Sequence, residues 1–440
     1  MNRSFKLIFP ALLCIFSFIS APIDVFGQVN DVIDQVAASR DKAAGVEGPY
    51  RFDAKPLTAA PKGYEPFYIS HYGRHGSRYA WNTNTYTKIK EVLEAAKNAN
   101  SLTPRGMKLY EDFLAFYEIP LVNTGDLSEL GEQQHYRIAM IMCEEFPEVF
   151  KDGGIALARA STSQRAIVSM NAFTVSLQKH APKLVIETNS LHTNLPVVNM
   201  NGAPREIVQR FEGNVTVPES TTDFRERMTD YDKLFDRLFT DRGFLEEIGG
   251  RRTFVYELFN LWAGYHNYCE DDWLDDIFTP EEILTQWEIE NYSHYAGHTR
   301  NRYSQIPLLQ DIIKYADEAI DGSFYKGHFR FGHDTIFNAF TALLNIDGCG
   351  YQPSKAEDVK YWFQNYNTPM GANIQFVLYR SKKNPEILFK VLRNGSEVTL
   401  PQLQPVNGPY YRWDDFKAWA EKLFAEHPLI KLPSGIQRTR

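Results

Sequence analysis

The segment from residue 72 to residue 78 reads YGRHGSR and places one histidine between two arginines. Two guanidinium groups suit a phosphate dianion, because each presents a planar fork of donors to a tetrahedral oxyanion. Their positive charge also disfavours protonation of the His75 imidazole, which leaves this ring free to act as a nucleophile. The segment therefore predicts attack by His75 on a phosphoryl group that Arg74 and Arg78 hold. Taken alone, it is equally compatible with a surface turn that carries two solvated arginines.

Three strand-to-helix junctions would position these side chains. The β-prone run 66–70 leads into the arginine–histidine segment, a strand at 155–160 precedes a helix with Arg165 in its first turn, and a strand at 328–332 precedes His333 and Asp334. Helix N-termini favour anions, and open α/β folds keep their sites at the carboxyl edge of the sheet. If the sheet is parallel, all three junctions lie at the same edge.

The order of the predicted elements indicates the fold class. Strands alternate with helices through residues 28–189 and again through residues 305–440, which predicts an α/β fold with a mostly parallel sheet flanked by helices. Strand signals fade between residues 190 and 304, where charged and aromatic helical segments replace them. We therefore predict two parts of one α/β core, with an α-helical cap inserted between them.

The first 27 residues are predicted to be a signal peptide. Arg3 and Lys6 precede an apolar run, residues 7–20, and small residues precede a cleavage point ahead of Gln28. A lipoprotein signal ending at Cys14 is the weaker alternative, because the adjacent leucine is bulky. We expect an exported protein with no membrane span after cleavage, since no later stretch is long and apolar enough.

Composition limits the partners and the covalent chemistry. The formal net charge is −8, which argues against nucleic acid as a partner and favours a small-molecule phosphate ester. Three of the four cysteines lie beyond the predicted signal. Cys143, Cys269 and Cys349 allow one disulfide at most, and their spacing indicates neither a metal site nor a redox pair.

Three motifs together carry a family resemblance. R-H-G-x-R occurs at residues 74–78, L-[ST]-x-x-G-x-x-Q at residues 127–134, and H-D at His333 and Asp334. With these motifs the chain resembles the histidine acid phosphatases, the branch of the histidine phosphatase superfamily that includes phytases and multiple inositol polyphosphate phosphatases. The resemblance extends over nearly the whole mature chain, and it implies a phosphoglycerate mutase-like core with a helical cap.

The resemblance also implies a role for each site residue. His75 would accept the phosphoryl group as a phosphohistidine, and Asp334 would protonate the leaving alkoxide and then activate water. Four further side chains would bind the phosphate oxygens: Arg74, Arg78, Arg165 and His333. Neither a metal nor a cofactor is implied, because fixed cations can supply the charge neutralisation that phosphoryl transfer needs.

Several residues have simpler interpretations. Asp334 is the type of residue that often caps a helix, and Arg159 competes with Arg165 as the third arginine. His71 is expected to pack or to orient its neighbours. His294 and His298 stand one helical turn apart, like a metal pair, but no third ligand is evident in the sequence, so we expect surface or cap histidines.

The expected function is that of a secreted, metal-independent phosphomonoesterase acting on inositol phosphates, including phytate. Broad-specificity acid phosphatase is the alternative, and a non-catalytic phospholigand-binding protein is the alternative from another class. The H-D pair is closer to acid phosphatases and the H-D phytases, since multiple inositol polyphosphate phosphatases usually carry H-A-E. Basic cap residues such as Arg225 and Arg252 would either contact extra phosphates or form a solvated helix surface.

Overall fold

The structure is a computed structural model that describes residues 32–204, 209–211, 213, 215–245 and 250–430. The predicted signal peptide, residues 1–27, lies outside the described residues. In the part of the chain that is described, no helix combines the length and the apolar character needed to cross a membrane. Cys143, Cys269 and Cys349 all carry free thiols.

A single sheet organises the described part of the chain. Its strands are β1 (Tyr64–Arg74), β2 (Gly154–Ala160), β3 (Leu184–Asn189), β4 (Tyr325–Gly332), β5 (Asn373–Ser381), β6 (Leu388–Arg393), β7 (Ser396–Glu397) and β8 (Tyr411–Arg412). The order across the sheet is β3-β2-β4-β1-β5-β6-β7, and β8 also pairs with β6. The predicted α/β class is confirmed.

The sheet is parallel in one half and antiparallel in the other. Strands β3, β2, β4 and β1 run parallel to one another. Strand β5 is antiparallel to β1, and β6 is antiparallel to β5. The connection from β5 to β6, residues 382–387, is too short for the crossover that parallel neighbours require. The sequence analysis predicted a mostly parallel sheet, and the antiparallel half is therefore larger than expected.

Helices of eight or more residues cover the sheet and extend beyond it. They are α1 (Asn84–Asn98), α2 (Pro104–Phe116), α3 (Glu129–Glu145), α4 (Gln164–His180), α5 (Thr221–Met228), α6 (Tyr231–Leu238), α7 (Arg251–Gly264), α8 (Pro280–His298), α9 (Ile306–Ile320), α10 (Asp334–Leu343) and α11 (Trp413–Glu426). Between β3 and β4 the described residues contain helices and no strand. The residue limits proposed for the cap remain a prediction.

Each face of the sheet buries its own apolar core. Successive side chains of a strand point to opposite faces, so Tyr68 and Tyr72 pack with α9, α10 and α11, whereas Ile69 packs with α3 and α4. A third core joins α1 and α2 to α6 and α7. This third core includes helices on both sides of the predicted boundary at residue 190, and it places α7 and α8 above the carboxyl edge of the parallel strands.

A buried ion cluster ties α9 to the middle of the parallel sheet. Arg159 and Arg330 are register partners on β2 and β4, and both donate to the Asp311 carboxylate, Arg330 through Nε at 2.8 Å and Arg159 through Nη1 at 3.2 Å. Burial raises the pKa of Asp311, but the two guanidiniums outweigh it and hold the pKa below its usual range. Arg159 is therefore committed to this cluster, and its consideration as a third phosphate-binding arginine was wrong.

Removal of the Asp311 charge should destabilise the fold strongly. Asp311→Asn leaves two buried guanidiniums without a counter-ion, which costs about 3–5 kcal/mol in comparable buried pairs. Urea denaturation at pH 7 measures this loss. The pKa of Asp311 is lower in the folded state than in the unfolded state. Its contribution to stability is therefore fully present above the unfolded-state pKa and is lost as the pH falls through the folded-state pKa.

The matched control is Glu91→Gln, which removes a carboxylate from the exposed Lys88–Glu91 pair of α1. We expect this control to cost less than about 1 kcal/mol. Equal losses in the two variants, or a smaller loss for Asp311→Asn, would contradict a stabilising role for the cluster.

Candidate active site

Parallel pairing of β1 with β4 brings the two predicted histidines together. Arg74 is the register partner of Gly332, so the residues that follow them leave the sheet side by side. The His75 backbone N–H donates to the Gly332 carbonyl at 3.0 Å, and the rings of His75 and His333 lie edge to face with centroids 5.5 Å apart. The carboxyl edge of the sheet thus positions both residues, as the sequence predicted.

The tautomer of His75 follows from its hydrogen bond. Its Nδ1 lies 2.9 Å from the Gly76 carbonyl oxygen, which can only accept, so Nδ1 carries the proton and Nε2 carries the lone pair. Burial, followed by the charges of Arg74 and Arg165, lowers the pKa of His75 well below its usual range. The ring is therefore neutral over a wide pH range, with Nε2 available to attack.

The motif at residues 127–134 packs against the histidine loop, residues 75–78. A side chain on Gly76 would meet the Gly131 carbonyl oxygen at 2.5 Å, so only glycine permits this close approach of α3. Gln134 accepts from the Ser77 backbone N–H and donates to the Ser77 hydroxyl, both at 2.9 Å, and this hydroxyl donates to Asn267. The loop is therefore held rigidly by α3 and by a residue that follows α7.

His333 precedes α10 and is fixed by the loop after β2. Its Nε2 lies 2.9 Å from the Ser161 hydroxyl, and its backbone N–H donates to the Tyr72 hydroxyl at 3.2 Å. Burial and the charge of Arg165 lower the pKa of His333 to about 3, so this ring is neutral near pH 7. His333 itself occupies the N-cap position, and Asp334 is the first residue of the helix. The interpretation of Asp334 as the N-cap was therefore wrong.

Asp334 forms an ion pair with the arginine that precedes the nucleophile. Its Oδ2 accepts from Arg74 Nη2 at 3.2 Å, and its Oδ1 accepts from the Thr335 backbone N–H at 2.8 Å. Burial raises the pKa of the Asp334 carboxyl, but Arg74 and, to a lesser degree, His298 outweigh it and hold the pKa well below its usual range. In the unliganded protein Asp334 is thus a carboxylate whose side chain remains 20% exposed to the cavity.

The three predicted arginines occupy different positions. Arg74 is fully buried behind the cavity wall and donates to the carbonyls of Val46 and Thr368. Arg78 and Arg165 line the cavity itself. Burial, together with the charge of Arg78, lowers the pKa of Arg165 to about 10, and this guanidinium still carries its charge at neutral pH.

Glu47 is the main charged residue that the sequence analysis missed. Its carboxylate accepts from Arg78 Nη2 at 2.8 Å and lies 4.0 Å from Arg74 Nη2, inside the same cavity. It places a negative charge beside both guanidiniums. No motif marks this glutamate, because it comes from the segment before β1 and reaches the site only through the tertiary fold.

A cavity of about 460 Å³ opens above these groups, between the sheet edge and the helices α7 and α8. Its far wall is largely aromatic and neutral, and Trp81 stands at its mouth with 59% of its surface exposed. The cavity is lined on that side by Trp81, Tyr256, Phe259, Asn260, Tyr268, Trp287, Glu290, His294 and His298. The pocket therefore has one end lined mainly by charged groups and another lined mainly by aromatic and polar groups.

His294 and His298 lie on α8, within the predicted cap, and both line this cavity. The described residues contain no cluster of three or more metal-ligating side chains.

Basic residues of the predicted cap form ion pairs with carboxylates of the same helical region. These pairs are Arg225–Glu290, Arg227–Glu219, Arg251–Asp232 and Arg252–Glu226.

Comparison with known proteins relates this architecture to phosphatases. No family model matches the sequence, and no curated protein matches it. The solved structure of Bifidobacterium longum multiple inositol polyphosphate phosphatase in complex with inositol hexasulfate has a TM-score of 0.69 at 18% identity, covering 86% of this chain and 97% of that chain. For the phytase from D. castellii the TM-score is 0.68 at 17% identity, covering 88% and 86%. The histidine acid phosphatase fold implied by the motifs is thereby confirmed.

Loss of the Glu47 charge should make stability depend on phosphate. Glu47→Gln leaves Arg74 and Arg78 without their shared counter-ion, and we expect a loss of about 1–2 kcal/mol in phosphate-free buffer, because the pair is mostly buried. Inorganic phosphate should restore part of this loss, since it supplies the missing negative charge. Thermal unfolding of wild type and variant, with and without phosphate, measures both effects.

The control is again Glu91→Gln, whose small effect on Tm should be the same with and without phosphate. If phosphate raised the Tm of Glu47→Gln no more than that of the wild type, Glu47 would not occupy the position of a phosphate charge.

Proposed function

We propose that this protein is a phosphomonoesterase that transfers a phosphoryl group first to His75 and then to water. The observation that carries the proposal is the free Nε2 lone pair of His75, which faces a cavity containing Arg78, Arg165 and Asp334. A neutral imidazole beside fixed positive charge is suited to attack on a phosphate ester. No resident metal is needed for this chemistry.

In the first step Nε2 of His75 attacks phosphorus and the bond from phosphorus to the ester oxygen breaks. The electron pair of that bond goes to the leaving oxygen, which takes a proton from the carboxylic acid form of Asp334. Arg78 and Arg165, with the buried charge of Arg74 behind them, neutralise the phosphoryl oxygens throughout the transfer. The products are the free alcohol and phosphohistidine.

In the second step the Asp334 carboxylate removes a proton from a water molecule as its oxygen attacks phosphorus. The bond between nitrogen and phosphorus breaks, its electron pair returns to Nε2, and inorganic phosphate leaves. Asp334 is again a carboxylic acid at the end of the cycle. One residue can serve both steps, because the water occupies the place that the alcohol left.

The protonation of Asp334 before the first step depends on the ligand. In the free protein Arg74 keeps the carboxyl ionised. A phosphate dianion bound to the same cluster of guanidiniums offsets this positive charge and so raises the pKa of Asp334. Acidic pH favours the required form further, which is why we propose an acid optimum.

Inositol phosphates, including phytate, are the proposed substrates, with other phosphate monoesters as the alternative range. The support is the fold, which is similar to that of proteins named as a multiple inositol polyphosphate phosphatase and as phytases. Export remains part of the proposal through the predicted signal peptide. A phospholigand-binding protein without turnover is the competing hypothesis, and a covalent intermediate distinguishes the two.

His75→Ala should abolish the covalent intermediate. Wild-type protein mixed with radiolabelled substrate and quenched within milliseconds is expected to carry label that is stable in base and released by acid, as a phosphohistidine is. The variant should carry none, because it has no Nε2. The control is His180→Ala, at an exposed histidine near the end of α4, which should label normally. Ligand binding without label in the wild type would support the competing hypothesis.

Asp334→Asn should slow the reaction according to the leaving group. We expect a loss of about 10²–10⁴-fold in kcat for an inositol phosphate, because an alkoxide needs a proton to leave. For p-nitrophenyl phosphate, whose leaving group needs no proton, the label should form almost as fast as in wild type. Rapid-quench measurement of label formation with both substrates provides the comparison.

The pH dependence of kcat/KM supplies the second part of this test. Since the pKa of Asp334 lies well below its usual range in the free protein, kcat/KM for the inositol phosphate should fall as pH rises from the acid range towards neutrality. An unchanged rate well above neutrality would contradict the acid role, as would equal losses on both substrates in Asp334→Asn.

A further inference from the structure

His294 and His298 have no part in the mechanism above, yet both face the reaction cavity from α8. They stand one helical turn apart with ring centroids separated by 5.2 Å. Both rings are only partly buried, and both also line a second cavity that continues outward along the helix. They therefore belong to the wall that meets the alcohol part of a bound ester.

The position of His298 relative to Asp334 is fixed by one hydrogen bond between helices. Asn338 Nδ2 donates to Nδ1 of His298 at 3.0 Å, and the side-chain oxygen Oδ1 of Asn338 accepts from the Thr368 hydroxyl at 2.5 Å. Asn338 lies one turn after Asp334 in α10, so both side chains project from the same face of that helix. This contact holds His298 beside the general acid.

The two rings present opposite hydrogen-bonding groups. Burial, and then the neighbouring His294, lowers the pKa of His298 to about 4, so the ring is neutral near pH 7. With Nδ1 accepting from Asn338, its Nε2 carries the proton and donates. His294 is the reverse in its neutral form, because its Nδ1 donates to the Glu290 carbonyl at 2.7 Å and leaves Nε2 as an acceptor.

Two carboxylates lie beside this histidine pair. Glu290 projects from the same face of α8, and its carboxylate is bound by Arg225 at 2.7 Å. Asp334 adds a second carboxylate to the same cavity. A phosphate dianion placed here would meet the Asp334 carboxylate and a Glu290 carboxylate that is already paired with Arg225, whereas a hydroxyl can accept from Nε2 of His298 and donate to Nε2 of His294 at once.

We infer that His294 and His298 form a hydroxyl-binding subsite for the alcohol part of the substrate, next to the bond that breaks. The inference rests on the proposed function and narrows its substrate class. Polyol and inositol phosphates that keep a free hydroxyl close to the reacting phosphate fit the subsite. Phytate, which bears a phosphate at every ring position, does not fit it and is processed less well than its partly dephosphorylated products.

The experiment compares two monoesters at pH 7.0. Myo-inositol 1-phosphate carries hydroxyls next to its phosphate, and p-nitrophenyl phosphate carries none. His298→Phe and His294→Phe keep a ring of similar size, and each removes both nitrogens of one imidazole. We expect kcat/KM for myo-inositol 1-phosphate to fall about 5- to 10-fold in each variant, as for the loss of one neutral hydrogen bond, and kcat/KM for p-nitrophenyl phosphate to change less than about 2-fold.

Two further variants sharpen the comparison. His298→Gln keeps a donor near the position of Nε2 and should retain most of the activity on myo-inositol 1-phosphate. His180→Phe is the matched control, because the Nδ1 of His180 also bonds to the carbonyl four residues earlier in its helix, but outside the cavity. It should leave both substrates unaffected.

The outcomes separate the subsite from the proposed function. Hydrolysis of p-nitrophenyl phosphate by wild type, and its loss in His75→Ala, tests the mechanism independently of α8. Equal losses on the two esters, or no loss on either, would overturn the subsite while leaving the mechanism standing. If His298→Phe failed to fold, His294→Phe would decide the question alone by the same criterion.

Discussion

The buried guanidinium of Arg74 is the constraint on which the rest of the site depends. A fully buried cation needs negative or carbonyl partners, and the partners of Arg74 Nη1 and Nη2 come from segments that are far apart in sequence. Val46 and Glu47 approach from before β1, Thr368 from before β5, and Asp334 from the start of α10. Satisfying this one charge therefore assembles most of the catalytic cavity.

The positive charge of Arg74 favours the deprotonated form of both His75 and Asp334. Burial, and then the charge of Arg74, keeps the His75 imidazole neutral, whereas the charge of Arg74 keeps the Asp334 carboxyl ionised against the effect of burial. In the proposed mechanism His75 is thus ready to attack, while Asp334 would acquire its proton when a bound phosphate offsets the guanidinium charge. Gly131 and Gln134 of α3 hold the loop that carries His75 in this arrangement.

Helices α7 and α8 line the cavity with side chains of a different kind from those at the sheet edge. The sheet edge contributes charged groups to the cavity, whereas α7 and α8 contribute aromatic rings, the Asn260 amide, the Glu290 carboxylate and two imidazoles to the opposite wall. The basic side chains of this helical region are tied into ion pairs with neighbouring carboxylates, for example Arg225 with Glu290. Selection among phosphate esters would then depend on hydroxyl recognition at α8 more than on a general attraction of negative charge.

The sequence by itself determined the three junctions and their reactive residues, because strand and helix periodicity and glycine positions are local properties of the chain. His75, Arg165, His333 and Asp334 each lie within a residue or a turn of the strand or helix end that positions them, and the α/β class followed from the same alternation. Only the tertiary structure placed Glu47, His294 and His298 in the cavity, moved Arg159 into a separate ion cluster, and made half of the sheet antiparallel. These features arise from contacts between distant segments and from the compensation of buried charge, for which no short sequence pattern exists.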